Sequence, residues 1–413
     1  MNLSLTISTK IEKERLAWLL FMASALVAYF GSLKPWFMWS LGNYYILVAA
    51  FFMVSAMVLS MTLRNQVFTS RGHVFPALFF ALFMYYVALV VYKVNFAGIV
   101  AYLFHVIFFL GICVVNKRYL RDFGDMASKV MAVIVCISAF GFMLYLLGIG
   151  LPYVNAQDPD ERYTYNNYFF FLLDDRSAWA VIPRFNCVFL EPGHFGVACV
   201  HLLLLQCGKW RKWYNMVLIA SMLFTFSLEA YVEFFVLIFG TLWVQRERFA
   251  RKLVLTLLFI SVVVTGAFFY RGGDNLFHDL ILIRLEVDEG ELAGDNRVTV
   301  DFDSAYESYL DSSETIFGVK NPVDMKACSG YKVFIYLHGF FGLGLYMLFF
   351  FFVCLRYKDW RMMVLAIAIA FLHFIVRSST WYAYILPIYC AITAYGFDDI
   401  STKKKIRVLA DNG

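Results

Sequence analysis

The residues best suited to chemistry lie in one short stretch near the middle of the chain. Residues 184–196 read RFNCVFLEPGHFG and lead directly into a long apolar run. Ionisable side chains beside such runs are costly to bury, so they are candidates for function. Because proline is tolerated in the first turn of a helix, Pro192 predicts a helix start with Glu191 at its N-cap. The stretch therefore predicts a site that gathers Arg184, Glu191 and His194.

Two chemical interpretations of this site remain open. In the first, Glu191 or His194 is a general base that removes a proton from an attacking hydroxyl, a role that both side chains can fill. In the second, Arg184 and Glu191 form an ion pair that holds the end of a broken helix. His201 is seven residues after His194 and would share its helix face, where we interpret it as a packing residue.

A second group of charged residues lies between residues 271 and 330. Guanidinium groups bind phosphate oxygens through paired hydrogen bonds and stay charged when partly desolvated, so Arg284 and Arg297 are candidates for binding a pyrophosphate. The simpler interpretation is that these arginines pair with neighbouring carboxylates in water, where each pair contributes about 0–1 kcal/mol. Residue types alone favour the simpler interpretation.

Three further ionisable residues stand near the ends of apolar runs. Arg377 directly follows one run and is either a phosphate ligand or a side chain that reaches toward the membrane surface. Glu229 and Glu233 are four residues apart, so they share a helix face and either line a cavity or meet water. No group of His, Cys, Asp or Glu has the spacing of a metal site, so the sequence predicts neither a metal nor a cofactor.

The composition predicts the elements that must position these residues. Of the 413 residues, 62% are hydrophobic and 16% are charged, whereas soluble chains average about 45–50% apolar and about 25% charged residues. A membrane-spanning helix needs about 20 mostly apolar residues. We therefore expect an all-α polytopic membrane protein, with residues 1–413 forming a single transmembrane domain.

Twelve apolar runs separated by charged segments predict about twelve transmembrane helices. The runs cover residues 16–33, 41–63, 74–92, 94–115, 130–151, 187–207, 214–228, 230–245, 253–270, 331–355, 362–376 and 381–396. Residues 214–228 and 230–245 are short, and one re-entrant hairpin in their place would reduce the number of spans to ten. The first run is long for a signal peptide and lacks a cleavage site, so we interpret it as a retained helix.

The positions of lysine and arginine predict the orientation of the chain. Both ends of the chain and five connecting segments hold 23 of the 35 Lys and Arg residues, and all seven fall on one side of the twelve-span arrangement. Because these residues concentrate in cytoplasmic loops, both termini are expected in the cytoplasm. The two long loops, residues 152–186 and 271–330, then lie outside, and the second, acidic loop is expected to be partly helical. Long loops are usually functional or disordered, and the working surface is expected on this side, away from ATP and nucleotide-sugars.

Several classes of protein find little support in the sequence. No basic arm, zinc-spaced Cys/His set or glycine-rich phosphate loop is present, which argues against nucleic-acid binding and ATP hydrolysis. The eight cysteines lie mostly inside apolar runs, where they are expected to pack as small residues without forming a disulfide framework. No internal repeat is evident, which weakens the case for an inverted-repeat transporter.

Five segments together resemble a known family. Residues 184–196 resemble the Arg…Phe-x-Glu-Pro segment of Wzy-type O-antigen and capsular polysaccharide polymerases, in the wider O-antigen polymerase/ligase family. Residues 296–297 and 316–319 are similar to that family's loop arginine and to the start of its Ile-x-Gly-x-Gly motif, although Lys320 stands in place of the second glycine. Residues 329–331 and 339–344 are similar to its Ser/His-x-x-Tyr and Gly-x-x-Gly motifs. The family's ligases tend to have a histidine near Cys328, so the resemblance favours a polymerase.

The resemblance implies a metal-independent membrane glycosyltransferase of the GT-C type in the bacterial inner membrane. Its donor is a glycan on undecaprenyl pyrophosphate, and its acceptor is the non-reducing sugar of the next lipid-linked repeat unit. By position, Arg184 and Arg297 would hold the donor's pyrophosphate. A chain-length regulator and a flippase are the partner proteins that such an enzyme implies, and membrane lipids surround it.

Two other functions remain as alternatives. An O-antigen ligase would use the same donor but transfer the glycan to a lipid A core or a protein. A polysaccharide or lipid-linked oligosaccharide transporter would need charged residues at mid-bilayer depth. In this chain the ionisable residues lie toward one face, which favours an enzyme at that face.

Overall fold

The computed structural model describes residues 2–63, 67–68, 74–90, 96–158, 164–174, 183–245, 249–270, 287–288, 291–292, 298–323, 328–357, 359–377 and 384–393. Within these residues the chain is mostly helical. The helices of the first half are α1 (Asn2–Leu33), α2 (Tyr45–Leu63), α3 (Val74–Val90), α4 (Phe96–Val114) and α5 (Lys117–Leu146). A 3-10 helix, Trp36–Tyr44, joins α1 to α2.

The second half contains α6 (Pro192–Gln206), α7 (Trp213–Leu223), α8 (Leu228–Gln245) and α9 (Phe249–Phe269). After the acidic loop come α11 (Tyr331–Cys354), α12 (Trp360–Val376) and α13 (Leu386–Ile392), and the loop itself contains α10 (Val300–Leu310). The helix α10 confirms that the loop is partly helical. Each of the twelve apolar runs overlaps one of these helices.

The lengths and apolar content of the helices identify a membrane protein. Among the described residues, five helices are long and apolar enough to cross a membrane: Glu14–Leu33, Trp36–Met61, Lys117–Leu146, Leu228–Gln245 and Tyr331–Cys354. Shorter apolar helices accompany them: Phe75–Leu89, Ile99–Val114, Pro192–Gln206, Trp213–Leu223 and Trp360–Val376. Large apolar side chains such as Phe51, Phe140 and Val262 are exposed, as expected for surfaces that face lipid.

Helix α5 differs most from its predicted boundaries, residues 130–151. It begins at Lys117 and ends at Leu146, so the basic segment before residue 130 is helical and does not form a connecting loop. The Asn116 side chain accepts a hydrogen bond from the Arg118 backbone N–H and caps the helix. Apolar residues on the inner face of this first part, including Leu120 and Phe123, are fully buried, which explains why the helix continues.

Helix α6 lies at the centre of the fold. Every one of its residues except His194 is buried, as expected for a helix that is apolar on all sides. It packs against α7, α8 and α13, and α8 in turn packs against α12. This arrangement brings the first turn of α6, the first turn of α8 and the last turn of α12 to the same end of the bundle.

The first long loop contains a small antiparallel sheet that the sequence did not predict. Its strands are β1 (Val154–Gln157), β2 (Thr164–Asn167) and β3 (Leu172–Asp174), in the order β1-β2-β3. The Tyr165 hydroxyl donates a hydrogen bond to the Leu190 carbonyl oxygen at 2.7 Å. The sheet therefore contacts the segment that leads into α6. A second, two-stranded sheet, β4 (Val287–Asp288) and β5 (Glu291–Leu292), lies in the acidic loop.

Two glycine segments of the acidic loop and α11 interlock. Helix α11 is kinked at Gly339, where φ is 66°, and a Cβ atom there would lie 2.3 Å from the Ile316 carbonyl oxygen. A Cβ atom on Gly318, where φ is 86°, would lie 2.2 Å from the Leu337 carbonyl oxygen. The Phe341 N–H donates to the Ile316 carbonyl oxygen at 2.9 Å. Glycine is thus required on both sides of this contact, which fixes the end of the acidic loop to α11.

Helix α10 packs on the same part of α11 through aromatic side chains. Phe302, Tyr306 and Tyr309 of α10 form a buried cluster with Ile335 and Tyr336. The Tyr309 hydroxyl donates to the Ile335 carbonyl oxygen at 2.8 Å. Burial raises the pKa of Tyr309 to about 12, so the hydroxyl stays protonated and keeps donating this bond at physiological pH.

Candidate functional site

The candidate site lies where α6 and α8 begin and α12 ends. Arg377 is its central residue, and its guanidinium binds two carboxylates from different helices. Nη2 donates to Glu191 Oε2 at 2.8 Å, and Nε donates to Glu229 Oε2 at 2.8 Å. The Arg377 side chain is 13% exposed and that of Glu229 is 3% exposed, whereas Glu191 is 34% exposed. Arg377 is therefore a largely buried cation that bridges carboxylates of two helices.

The start of α6 places Glu191 as the sequence predicts. Pro192 occupies the first helical position, and Glu191 is the N-cap residue with extended backbone angles, φ −132° and ψ 139°. Its side chain makes no capping hydrogen bond and contacts Arg377 instead. In a simple N-cap, this carboxylate would accept a hydrogen bond from a backbone N–H of α6. Here it accepts one from Arg377, at the end of another helix. Glu191 therefore joins the start of α6 to the end of α12 through Arg377.

Gly193 allows Arg377 to approach the start of α6. A Cβ atom at Gly193 would lie 2.6 Å from Arg377 Nη2 and 3.5 Å from Ser227 Oγ. Any larger side chain at this position must therefore displace the guanidinium from Glu191. His194 follows directly, lies in the first turn of α6 and is partly exposed.

Arg184 lies on the segment that leads into α6. Its Nε donates to the Thr225 carbonyl oxygen at 3.0 Å, and the neighbouring Phe185 N–H donates to the Phe224 carbonyl oxygen at 3.0 Å. These bonds attach the segment to the turn between α7 and α8. The structure thus brings Arg184 to the turn that precedes Glu229. In the sequence, Arg184 also lies seven residues before Glu191.

A second layer of ionisable residues lies behind Arg377. Glu229 and Glu233 are on successive turns of α8, and His373 is in the last turn of α12. His373 Nδ1 is 3.3 Å from Glu229 Oε1 and 3.4 Å from Glu233 Oε1. All three side chains are at most 3% exposed. We call these three residues with Glu191 and Arg377 the Arg377 cluster.

His201 is a packed residue, as the sequence predicts. It is fully buried, and its Nδ1 lies 2.9 Å from the Val197 carbonyl oxygen one turn earlier in α6. Its ring packs edge-on against His373, with 5.5 Å between ring centroids. His201 therefore supports the second layer of the cluster from the α6 side.

The structure brings four of the predicted site residues to one region. Glu191 and Arg377 are in direct contact, His194 lies in the same first turn, and Arg184 lies on the adjoining segment. Arg284 and Arg297 lie outside the described residues. All eight cysteines are free thiols, which agrees with the expectation that they do not form a disulfide framework.

The sequence did not single out His373, and it did not connect the two glutamates of α8 to Arg377. The two glutamates are more than 100 positions from His373 and Arg377 in the chain, so no local spacing could link them to these residues. The available signal was the presence of a histidine in an otherwise apolar run, because an ionisable residue inside a membrane helix is a functional candidate by default.

Comparison with known proteins gives no further guide to the function of the site. No family model, no curated protein and no solved structure matches this chain.

Proposed function

We propose that this chain is a membrane glycosyltransferase that polymerises oligosaccharide repeat units carried on undecaprenyl pyrophosphate. The products would be O-antigen, capsular polysaccharide or exopolysaccharide, assembled at the outer face of the bacterial inner membrane. The proposed architecture is of the GT-C type, with 10–12 spans and both termini in the cytoplasm. The observation that carries the proposal is the contact between Glu191 and Arg377, which joins two predicted site residues from distant parts of the chain.

The proposed reaction is a displacement at the anomeric carbon of the donor glycan. An acceptor hydroxyl forms the new C–O bond while the bond from the anomeric carbon to the pyrophosphate breaks. The electron pair leaves with undecaprenyl pyrophosphate, and the hydroxyl proton passes to a base. Such a reaction needs stabilisation of the charge on the leaving group and a positioned proton acceptor.

Glu191 is our choice for the proton acceptor, with His194 as the alternative in the same helical turn. Glu191 is the most exposed member of the Arg377 cluster, so a substrate could reach it. Arg377 keeps its carboxylate in one orientation. Because Arg377 already binds two carboxylates, we assign it as a positioning residue and expect it to contact phosphate only if that pairing opens.

The leaving group would be stabilised by guanidinium groups and by the start of α6. The first turn of a helix presents unpaired N–H groups and a partial positive charge, which favour a phosphate. Arg184 lies on the segment that enters this turn. Arg284 and Arg297 are the proposed further ligands, since they belong to the loop that the family resemblance assigns to the pyrophosphate.

A biochemical test uses the purified full-length protein in liposomes with an undecaprenyl-pyrophosphate-linked oligosaccharide. We expect a ladder of products that each differ by one repeat unit, and release of undecaprenyl pyrophosphate. Arg184→Ala and Arg297→Ala should each abolish elongation without lowering the amount of protein. A normal ladder from either variant would remove that arginine from the phosphate-binding role.

A genetic test separates the polymerase from the ligase. Deletion of the gene in the source bacterium should leave single repeat units on their acceptor if the chain is a polymerase. Polymer that accumulates on the lipid carrier would instead identify a ligase.

Labelling of Cys328 tests the orientation. An impermeant maleimide added to intact spheroplasts should modify this partly buried thiol, and Cys328→Ser is the control for labelling elsewhere. Protection of Cys328 until the membrane is permeabilised would place the acidic loop in the cytoplasm and overturn the proposal.

A transporter of lipid-linked oligosaccharides is the second candidate. The buried positions of Glu233 and His373 favour it, because proton- or ion-coupled transporters keep such groups inside their helix bundles. Both residues lie at the same end of their helices as Arg377, as an enzyme at one membrane face would require. Accumulation of unpolymerised glycan inside sealed vesicles, without product growth, would favour transport.

A further inference from the structure

The second layer of the Arg377 cluster has the composition of a metal site. Glu229 and Glu233 each present a carboxylate oxygen, and His373 presents Nδ1, and these three atoms lie within 4.8 Å of one another. The residues come from two helices that pack together, α8 and α12. The three donors therefore sit on a rigid framework in which each helix limits the movement of the other.

Two of the three distances between these ligand atoms fit a shared cation. His373 Nδ1 is 3.3 Å and 3.4 Å from the nearest oxygens of Glu229 and Glu233. A charge-assisted N–H···O bond is usually shorter, about 2.7–2.9 Å. Around a tetrahedral Zn²⁺ with bonds of about 2.0–2.1 Å, neighbouring ligand atoms are about 3.3 Å apart. The two contacts thus match the edges of a coordination tetrahedron better than they match hydrogen bonds.

Glu233 supplies an independent reason to expect a bound cation. Its side chain is 1% exposed, and neither of its carboxylate oxygens accepts a hydrogen bond from any described residue. Its one close polar contact among these residues is the 3.4 Å approach of His373 Nδ1. A buried carboxylate without a strong partner is costly, and a cation between Glu233 and His373 would remove that cost.

The balance of charge leads to the same conclusion. Within the Arg377 cluster, the carboxylates of Glu191, Glu229 and Glu233 stand against the single permanent cation of Arg377. With all three carboxylates ionised and His373 neutral, two negative charges would remain to be balanced in a largely buried environment. One divalent cation would balance both and would do so between the two most buried carboxylates.

We propose that Glu229, Glu233 and His373 bind one divalent transition-metal cation, for which Zn²⁺ is the best match. Imidazole and carboxylate together suit Zn²⁺, whereas Mg²⁺ and Ca²⁺ prefer sites made of oxygen ligands alone. The site leaves a fourth position for water or another ligand. Glu229 Oε2 accepts a hydrogen bond from Arg377 Nε, the kind of outer contact that orients a metal-binding carboxylate. The ion would hold α8 against α12 and keep Glu229 turned toward Arg377.

The test is Zn²⁺ binding to the purified full-length protein in nanodiscs after treatment with a chelator. Equilibrium dialysis with metal analysis should give one Zn²⁺ per chain, and the thermal unfolding temperature should rise on loading. Glu233→Gln and His373→Gln should each lose the stoichiometric ion. Asp125→Asn, in a separate and more exposed ion pair, should bind Zn²⁺ as the unaltered protein does.

A second measurement does not depend on the folding of the variants. X-ray absorption of the Zn²⁺-loaded unaltered chain should show only nitrogen and oxygen ligands, at about 2.0–2.1 Å. Sulfur ligation would assign the ion to one of the cysteines and overturn the proposal. So would the absence of stoichiometric Zn²⁺, or a protein whose stability follows pH but not Zn²⁺, since protons alone would then balance the cluster. Glycan elongation is measured separately, so failure of the metal site would leave the proposed function intact.

Discussion

Each end of α6 lies beside a polar cluster. The two clusters differ in how far their charged side chains are exposed to solvent. At the N-terminal end, Arg377 is 13% exposed and bridges Glu191 and Glu229. At the C-terminal end, Gln206 Nε2 donates to Asp125 Oδ1 at 2.8 Å, and Lys212 Nζ lies 3.7 Å from the same oxygen. We call these last three residues the Asp125 cluster. Its two charged side chains are 37% and 34% exposed.

Exposure decides what each cluster contributes. An ion pair that water reaches contributes about 0–1 kcal/mol, so the Asp125 cluster ties α5 and α6 together at little gain or cost. Removal of one partner from a buried pair costs about 3–5 kcal/mol because a charge is left without compensation. Apolar residues could fill the same space as the Arg377 cluster without leaving any buried charge to be compensated. Because it holds five ionisable groups, the Arg377 cluster is the end of α6 to which we assign the proposed function.

The largest effect is expected from Arg377→Ala. It leaves Glu191 and Glu229 without their cation and should lower the free energy of unfolding by about 3–5 kcal/mol, measured by denaturant titration in detergent. Elongation should be abolished. Arg377→Lys keeps the charge but lacks the fork that binds two carboxylates, so it should recover stability better than activity. If Arg377→Ala elongates glycan at the wild-type rate, the Arg377 cluster is no more necessary for the reaction than the Asp125 cluster.

Glu191→Gln should separate catalysis from stability. The change keeps the shape of the side chain and removes the proposed base, so the elongation rate should fall by about 10²–10⁴-fold. Because Glu191 is 34% exposed, the free energy of unfolding should change less than in Arg377→Ala. The comparison is with His194→Gln, measured by the same product ladder. A larger loss in His194→Gln would transfer the role of base to His194.

Gly193→Ala tests the geometry of the cluster without changing any charge. The new Cβ atom would lie 2.6 Å from Arg377 Nη2, so the guanidinium must move away from Glu191. We expect elongation to slow by roughly tenfold, since small misplacements of reacting groups are costly. Gly344→Ala is the matched control, because a Cβ atom there meets nothing within 4 Å. Equal rates in the two variants would mean that the contact between Arg377 and Glu191 is not needed for elongation.

The smallest effect is expected from Asp125→Asn. The substitution removes a half-exposed ion pair but keeps an oxygen to accept from Gln206, so the free energy of unfolding should fall by at most about 1 kcal/mol. Elongation should be unchanged. A loss of elongation in a folded Asp125→Asn protein would show that the two ends of α6 are coupled, and the distinction between the clusters would no longer hold.

Much of the helical framework could be predicted from the sequence because its signals are local. Apolar runs marked the helices, and Pro192 marked the start of α6 together with the N-cap position of Glu191. The start of α5 was missed because its first turns carry charges on one face, and charges were interpreted as the sign of a loop. Burial of Leu120 and Phe123 on the other face shows that the helix is amphipathic there.

The candidate site was harder to predict because its members meet only through packing. The chain separates Glu191 from Arg377 by 186 residues, and no spacing rule connects them. The glycine contact gave a better signal, since Gly318 and Gly339 both belong to motifs that the sequence analysis had noted. What the sequence did not contain was the reason for them, which is a backbone contact that any Cβ atom would obstruct.

The lengths of three helices bear on how the protein fits the surrounding bilayer. Helices α6, α8 and α12 contain 15, 18 and 17 residues, which correspond to about 22, 27 and 26 Å at 1.5 Å per residue. The hydrocarbon layer is about 30 Å thick, and the 24 residues of α11 are ample to cross it. Helix α6 is therefore about 8 Å shorter than this layer, whereas α8 and α12 differ from it by only about 3–4 Å. Because every residue of α6 except His194 is buried, neighbouring parts of the protein surround this short helix, so its length need not match the thickness of the bilayer.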